Sequence, residues 1–145
     1  MSPHELRSRA LSLLSRREHT RQELFRRLVT QAESAEALET LLDELTEEGL
    51  LSDARTAEAI LRMRAGRSGL LKIRQELQQR GVPGDVAAAV LEVARANELA
   101  SARQVWRKKF SQLPTTGEER ARQGRYLQNR GFSLAIIQQV LRSED

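Results

Sequence analysis

The chain has 145 residues, a formal net charge of +4 and no cysteine. It can therefore form neither a disulfide nor a thiolate metal site, and two histidines, His4 and His19, are too few for a zinc site. Apolar residues make up 39% of the sequence and aromatic residues only 3%, so its core must consist mainly of Leu, Ala, Val and Ile. Such a core suits packed helices better than sheets. We expect an all-α protein that binds no metal and no cofactor.

The first residues, "MSPHELRSRA", lack the apolar stretch of a secretion signal. No run elsewhere approaches the roughly 18 apolar residues that a membrane-spanning helix needs. We therefore expect a cytoplasmic protein that makes no membrane contact.

Local start and stop signals divide the chain into nine predicted helices. Capping residues followed three positions later by glutamate begin helices at Ser2, Thr20 and Thr116. Glycine ends helices because it accepts a positive φ, and four glycines lie where the apolar periodicity lapses: Gly49, Gly66, Gly81 and Gly131. The predicted helices, with boundaries good to a few residues, are 3–17, 20–31, 34–48, 52–65, 69–80, 83–95, 98–110, 117–130 and 133–142.

The apolar spacing of these helices follows one order three times along the chain. The segment "LQQRGV" at 77–82 returns as "LQNRGF" at 127–132, and Leu28, Leu77 and Leu127 become equivalent positions, predicted to be buried. This register predicts three tandem three-helix repeats, over residues 1–51, 52–96 and 97–145. Because one such repeat buries too little surface to be stable alone, we expect neighbouring repeats to pack into an elongated, curved array.

The charge of the chain changes sign along its length. Residues 1–51 carry a net charge of −3, residues 52–96 of +3 and residues 97–145 of +4. The segment 33–48 contributes seven acidic residues and no basic one. This polarity suggests a long surface laid along a partner of alternating charge, or along nucleic acid over part of its length; the alternative is a solvated charged face.

Basic residues concentrate around the glycine-flanked turn in "RMRAGRSGLLKIR" and in "WRKKF". Gly66 and Gly69 would let the backbone approach a partner closely, while the arginines could bind carboxylates or phosphates. The turn does not match a phosphate-binding loop, since its glycine and lysine spacing is wrong and no strand precedes it. The residues predicted to contact a partner are Arg62, Arg64, Arg67, Lys72, Arg74, Arg80, Arg107, Lys108, Lys109, Arg125 and Arg130.

Candidate catalytic residues are lacking in the sequence. The acidic residues crowd one helix, and neither histidine lies near a plausible nucleophile, so we expect no enzymatic activity. For His19, just before a helix start, a structural role is the expectation. Trp106 and Phe110 lie on an apolar stripe and are expected in the core rather than stacked on single-stranded bases.

Three segments in this order resemble the RecX family of bacterial recombination regulators. They are "RREHTRQEL" at 16–24, "EEGLLSDARTAEA" at 47–59 and "GLLKIRQELQQRGV" at 69–82, and "RGFSLAIIQQVL" at 130–141 extends the resemblance over nearly the whole chain. The resemblance implies tandem three-helix repeats that lie in the groove of the RecA filament on single-stranded DNA. It also implies negative regulation of RecA in DNA repair, recombination and the SOS response, by restraint of its ATPase, strand-exchange and co-protease activities. We expect a monomer with at most weak contact to single-stranded DNA.

The segment around Arg64, Arg67, Lys72 and Arg74 lies off the stripe of Ile73 and is predicted to be a main contact with RecA. Exposed ion pairs on a solvated face are the alternative interpretation. The competing function is a helical DNA-binding module that places one helix in the major groove. Such a module would bind bare DNA tightly and with a steep dependence on salt, whereas a filament regulator requires RecA.

Overall fold

The structure is a computed structural model that describes residues 1–142, and over these residues it consists of helices without any strand. The nine helices are α1 (Pro3–Arg16), α2 (Arg21–Leu28), α3 (Ala35–Glu47), α4 (Asp53–Arg64), α5 (Leu70–Gln79), α6 (Gly84–Ala96), α7 (Glu98–Lys109), α8 (Gly117–Asn129) and α9 (Leu134–Arg142). The predicted all-α class and helix order are confirmed. The largest difference is at the end of the second helix, which was predicted to reach residue 31 and ends at Leu28.

The helices begin and end through the local signals in the sequence. The Ser2 and Thr20 side chains each accept a hydrogen bond from the backbone of the third residue of the helix, and the Glu5 and Glu23 side chains accept from the capping residues in return. Thr116 likewise accepts from the Glu119 amide at the start of α8, but there the Glu119 side chain accepts from the Thr115 amide instead of the capping residue. The four stop glycines all have positive φ: Gly49 at 76°, Gly66 at 72°, Gly81 at 79° and Gly131 at 90°.

Packing divides the chain into two compact units, which are described separately. Unit 1 contains residues 1–59 and 77–87, and unit 2 contains the rest of the described chain. The middle helices α4, α5 and α6 each contribute one part to unit 1 and another part to unit 2. The repeat boundaries predicted at residues 51 and 96 stay a prediction.

Each unit has a core of aliphatic side chains. The main core cluster of unit 1 is formed by Leu6, Ala10, Leu13, Leu24, Leu28, Leu38, Leu41, Leu42, Leu45 and Leu51. That of unit 2 is formed by Ala102, Val105, Leu127, Phe132, Ile137, Val140 and Leu141. Leu28, Leu77 and Leu127, the three equivalent positions, are 0%, 1% and 0% exposed, so their predicted burial is confirmed. Burial of each such leucine stabilises the fold by about 1.5–3 kcal/mol.

Three apolar positions differ from the expected core. Val93, whose helical spacing from Val86 and Val90 predicts burial, is 50% exposed on α6. Trp106 and Phe110 are only half-buried and pack against the edge of the unit 2 core. Trp106 lies there because its indole Nε1 donates a hydrogen bond to the buried Gln123 side chain over 2.8 Å, so the ring needs a polar as well as an apolar neighbour.

In unit 1, the Arg-Gly turn of "LQQRGV" packs against the start of α2. The Thr20 hydroxyl donates a hydrogen bond to the carbonyl oxygen of Arg80. Gly81 faces the Gln22 side chain so closely that a Cβ at this glycine would lie 1.9 Å from Gln22 Oε1. Glycine is therefore required here both by its positive φ and by its neighbour.

In unit 2, the Arg-Gly turn of "LQNRGF" receives the start of α5 in a corresponding way. The Gly69 amide donates to the Arg130 carbonyl oxygen over 2.8 Å, and the Leu71 amide donates to the Gly131 carbonyl oxygen over 3.2 Å. The Lys72 side chain lies against Gly131, as Gln22 does against Gly81. The repeated "L-Q-x-R-G" segment thus forms a turn that accepts hydrogen bonds from the start of the second helix of the preceding repeat.

Candidate partner-binding surface

Arg80 is held inside unit 1. Its Nε and Nη2 atoms donate to the two carboxylate oxygens of Glu23 over 3.0 and 3.2 Å, and Nη2 also donates to the Glu18 carbonyl oxygen over 3.0 Å. The two paired side chains are only 21% and 18% exposed. Burial alone would raise the pKa of Glu23, but the hydrogen bonds from Arg80 and from the Thr20 amide outweigh it and lower this pKa below 4.5. Since Arg80 fixes the start of α2, we leave it out of the candidate surface.

Arg64 is engaged inside unit 2. Its Nε pairs with Glu76 on α5, and its Nη1 donates to the Ser68 hydroxyl over 3.1 Å. The side chain therefore connects the end of α4 to α5 across the glycine turn, which gives it a structural role in addition to any contact with a partner.

Gly66 and Gly69, in the turn between α4 and α5, do not expose the backbone to a partner, so that expectation is wrong. A Cβ on Gly69 would lie 2.3 Å from the carbonyl oxygen of Gly131, because the two backbones are in direct contact. The Gly66 amide donates to the Ser101 hydroxyl over 3.3 Å, and a Cβ there would lie 2.8 Å from Gln104 Oε1. At Gly69 the neighbour that requires glycine is the protein's own backbone, whereas at Gly66 glycine is required by its positive φ.

Most of the other predicted cations have no acidic partner. Within residues 1–142, no ion pair involves Arg62, Arg67, Lys72, Arg74, Arg107, Lys108 or Arg125. Unit 1 differs, because two carboxylates of the acidic segment 33–48 are paired there, one within α3 and one at its C-terminal cap. Asp43 pairs with Arg21 over 2.8 Å and Glu48 with Arg7 over 2.6 Å. Uncompensated positive charge is therefore concentrated in unit 2.

Two exposed leucines accompany this charge where α5 and α9 begin. Leu71 is 52% and Leu134 69% exposed. Both lie beside the contact between the two glycine turns, since the Leu71 amide bonds to the Gly131 carbonyl oxygen and Leu134 follows Gly131 by three positions. We call the set that surrounds this contact the junction surface; its members are Arg67, Leu71, Lys72, Arg130 and Leu134.

The sequence predicted the basic members of the junction surface but missed its two leucines. A signal for Leu71 was present, because Leu70, Ile73 and Leu77 share one helical face and leave Leu71 outside it. Leu134 gave no such signal, since its spacing from Ile137 is that of a core residue. It is exposed because it is the first residue of α9.

Arg130 is positioned by an aromatic residue one helical turn earlier. Its Nη2 donates to the Tyr126 hydroxyl over 2.8 Å, and its guanidinium carbon lies 5.0 Å from the centre of the Tyr126 ring. Lys109 Nζ lies 5.4 Å from the same centre, and the Phe110 ring meets Tyr126 edge-on at 5.5 Å. This ring attracts cations but is already engaged by three side chains, so it is poorly available for stacking on a base.

The remaining predicted contacts lie elsewhere in unit 2. Arg107 and Lys108 lie on the last turn of α7, and Arg125 lies on α8. Arg62 is exposed on α4 and lines a cavity described below. Arg74 is half-buried on α5. The junction surface unites three of the eleven predicted residues, Arg67, Lys72 and Arg130.

Metal-binding clusters and membrane-spanning helices are absent from the part of the chain that the structure describes. No group of His, Cys, Asp and Glu side chains among residues 1–142 is arranged to hold a metal ion. No helix in this part of the chain is long and apolar enough to cross a membrane.

Comparison with known proteins assigns the chain to a family. Residues 52–91 match the family model described as the second three-helix domain of RecX, and residues 96–141 match that of the third. The chain belongs to the RecX family. A regulatory protein RecX from Leptothrix cholodnii is 44% identical, over 97% of this chain and 89% of its own length. Another RecX, from Chromobacterium violaceum, is 46% identical over 94% and 88% of the two chains.

Solved RecX structures have the same fold. The crystal structure of RecX from Lactobacillus salivarius superposes with a TM-score of 0.82 and covers 96% of this chain and 94% of its own, at 19% identity. A second RecX crystal structure has a TM-score of 0.76 and 21% identity, with coverage of 95% of this chain and 72% of its own. These two structures support the helical fold, whereas the regulatory role rests on the more similar relatives.

Proposed function

We propose that this protein is a negative regulator of the RecA recombinase, which binds the RecA filament on single-stranded DNA and catalyses no reaction itself. It would thereby inhibit the ATPase, strand-exchange and co-protease activities of RecA. Membership of a family of regulatory proteins supports this proposal, and the family resemblance supplies RecA as the target. The structural observation that carries it is the junction surface.

The composition of the junction surface suits contact with a protein. Exposed apolar side chains flanked by charge are typical of protein interfaces, whose centre is apolar and whose rim is polar. Arg67 and Lys72 have no acidic partner within residues 1–142, so they are available to acidic groups on a filament subunit. Tyr126 already restrains the Arg130 side chain, so little side-chain entropy is lost when Arg130 binds a partner.

Charge reversal at the junction surface tests this proposal. We expect Arg67→Glu combined with Lys72→Glu to weaken inhibition of the DNA-dependent ATPase of RecA by about tenfold or more, because a like charge then faces the acidic groups. Helicity and thermal stability should not change, because neither side chain forms an ion pair within residues 1–142 and glutamate retains the Cβ and Cγ with which Lys72 lies against Gly131. Arg26→Glu with Arg27→Glu, an exposed pair on α2 with the same change of net charge, is the matched control. Undiminished inhibition by the first double variant would place the contact elsewhere, first at Arg107, Lys108 and Lys109.

The alternative function, direct binding of DNA, is separated by co-sedimentation. The protein should sediment with RecA filaments and remain in solution with bare single-stranded DNA at physiological salt. Tight binding to bare DNA that falls steeply with salt would instead favour the DNA-binding module.

A further inference from the structure

A second candidate site lies in unit 2, in a cavity of about 230 Å³ between α4, α5, α6 and α7. Its walls are mainly apolar and include Leu61, Leu70, Ile73 and Ala94. It is open to solvent, because Val93 on its lining is 50% exposed. The volume is below the roughly 300 Å³ at which pockets for drug-sized ligands begin, so the cavity suits one side chain rather than a larger molecule.

One carboxylate interrupts the apolar lining. Glu98, the first residue of α7, is only 6% exposed and lines the cavity. Its Oε2 accepts a hydrogen bond from the Leu70 amide over 3.1 Å and so caps the start of α5. Its Oε1 receives no hydrogen bond from any residue in 1–142, and no Lys or Arg of that part of the chain forms an ion pair with it. Oε1 is not sealed from solvent, so a ligand that enters the cavity can donate a hydrogen bond to it.

We propose that this cavity binds the side chain of a tyrosine or tryptophan from a protein partner, with its O–H or N–H donated to Glu98 Oε1. These two side chains combine a large apolar body with a single donor, and they are frequent anchors of protein interfaces. Arginine, the other frequent anchor, would meet the positive charge of Arg62 as well as the carboxylate of Glu98 in this cavity. The inference goes beyond the regulation of RecA, since it specifies the chemistry of one contact and holds for any partner that supplies it.

Binding of blocked amino acids tests the proposal without RecA. In a two-dimensional NMR titration of the full chain, N-acetyltyrosinamide should shift the amide signals of the lining residues. It should bind about fivefold more tightly than N-acetylphenylalaninamide, because only the phenol donates to the carboxylate. Free tyrosine should bind no more tightly than the blocked form. Equal affinities of the two blocked amino acids, or tighter binding of free tyrosine, would overturn the proposal.

Three variants locate the interaction. Glu98→Gln retains an oxygen for the Leu70 amide but places an amide group where Oε1 was, so the preference for tyrosine over phenylalanine should fall to about twofold or less. Ala65→Leu, at an exposed lining position, should fill the cavity and abolish binding, and Val93→Trp provides a second filling variant from α6. Ala54→Leu, at an exposed position of α4 outside the lining, is the matched control and should bind normally. Retained binding in both filled variants would show that the cavity is not the site.

Discussion

Gly69 is the residue at which two backbones of unit 2 come closest. A Cβ at this position would lie 2.3 Å from the carbonyl oxygen and 2.5 Å from the amide nitrogen that follows Gly131, neither of which can rotate away. Gly69→Ala should therefore separate the start of α5 from the turn and break the hydrogen bond between the Gly69 amide and the Arg130 carbonyl. We expect the free energy of unfolding to fall by about 2–4 kcal/mol, measured by urea titration.

Gly84→Ala is the matched control for this substitution. A Cβ at Gly84 would meet no atom within 4 Å, and its φ is not positive. Alanine also restricts the unfolded chain more than glycine does, so the variant should be as stable as the original protein or more stable by about 0.4–1 kcal/mol. Equal destabilisation by the two substitutions would contradict the assigned backbone contact.

His19 gives the fold a pH dependence in the mildly acidic range. Burial lowers the pKa of this imidazole below 6.5, while the Nδ1 hydrogen bond to the Arg17 carbonyl opposes that shift. The neutral ring is favoured in the folded state, so its contribution to stability is complete above about pH 6.5. As the pH falls below that value, the unfolded chain takes up the proton first and the contribution is lost progressively down to the folded-state pKa.

Thermal unfolding at a series of pH values tests the assignment to His19. The melting temperature should decrease between about pH 7 and pH 5, and His19→Gln should remove much of that decrease. Glu23 affects stability in a separate, more acidic pH range. Because its pKa is lowered in the folded state, its stabilising contribution is complete above pH 4.5, its ordinary pKa, and is lost only as the pH falls below that value. An unchanged pH profile in His19→Gln would assign the decrease to other groups.

At the scale of elements, the pairing of Arg80 with Glu23 fixes the end of α5 against the start of α2. Arg80→Met keeps the aliphatic stem but leaves the Glu23 carboxylate half-buried without its main partner. We expect a loss of about 1–3 kcal/mol in the free energy of unfolding, less than for a fully buried ion pair because both groups retain some contact with water. Arg74→Met makes the same chemical change at a position without an ion pair in residues 1–142, and it should cost about 0.5 kcal/mol or less.

The helices could be predicted because their signals are local. Thr20 caps a helix through residues three positions away, and Gly49 ends one through its own φ. The partners of the basic residues could not be predicted in this way. Glu23 and Arg80 are 57 positions apart, and nothing in the spacing of either residue indicates that they meet. Sequence patterns therefore indicated which charged residues lie outside the core, but not which of them pair with other residues of the chain.

At the scale of the whole molecule, the division of the middle helices between two units makes the repeats depend on one another. A fragment of residues 1–51 lacks residues 77–87, which belong to the same compact unit, whereas a fragment of residues 1–96 contains them. Amide hydrogen exchange in α2 should therefore be about tenfold or more faster in the shorter fragment. Equal exchange in the two fragments would show that the first repeat is stable without the Arg80–Gly81 turn.

The two Arg-Gly turns also limit how such a chain can grow during evolution. Arg80 and Arg130 stand 50 positions apart, as do Gln22 and Lys72, the side chains that face the glycines of the two turns. A gene duplication that copied one three-helix repeat from loop to loop would preserve this 50-residue spacing. Each new helix start would then have a turn to contact. An insertion within a turn, or at the helix start that contacts it, would separate that helix start from its acceptor carbonyl. Lengthening of this fold is therefore expected in whole repeats, with shorter insertions confined to the loops that contact neither turn.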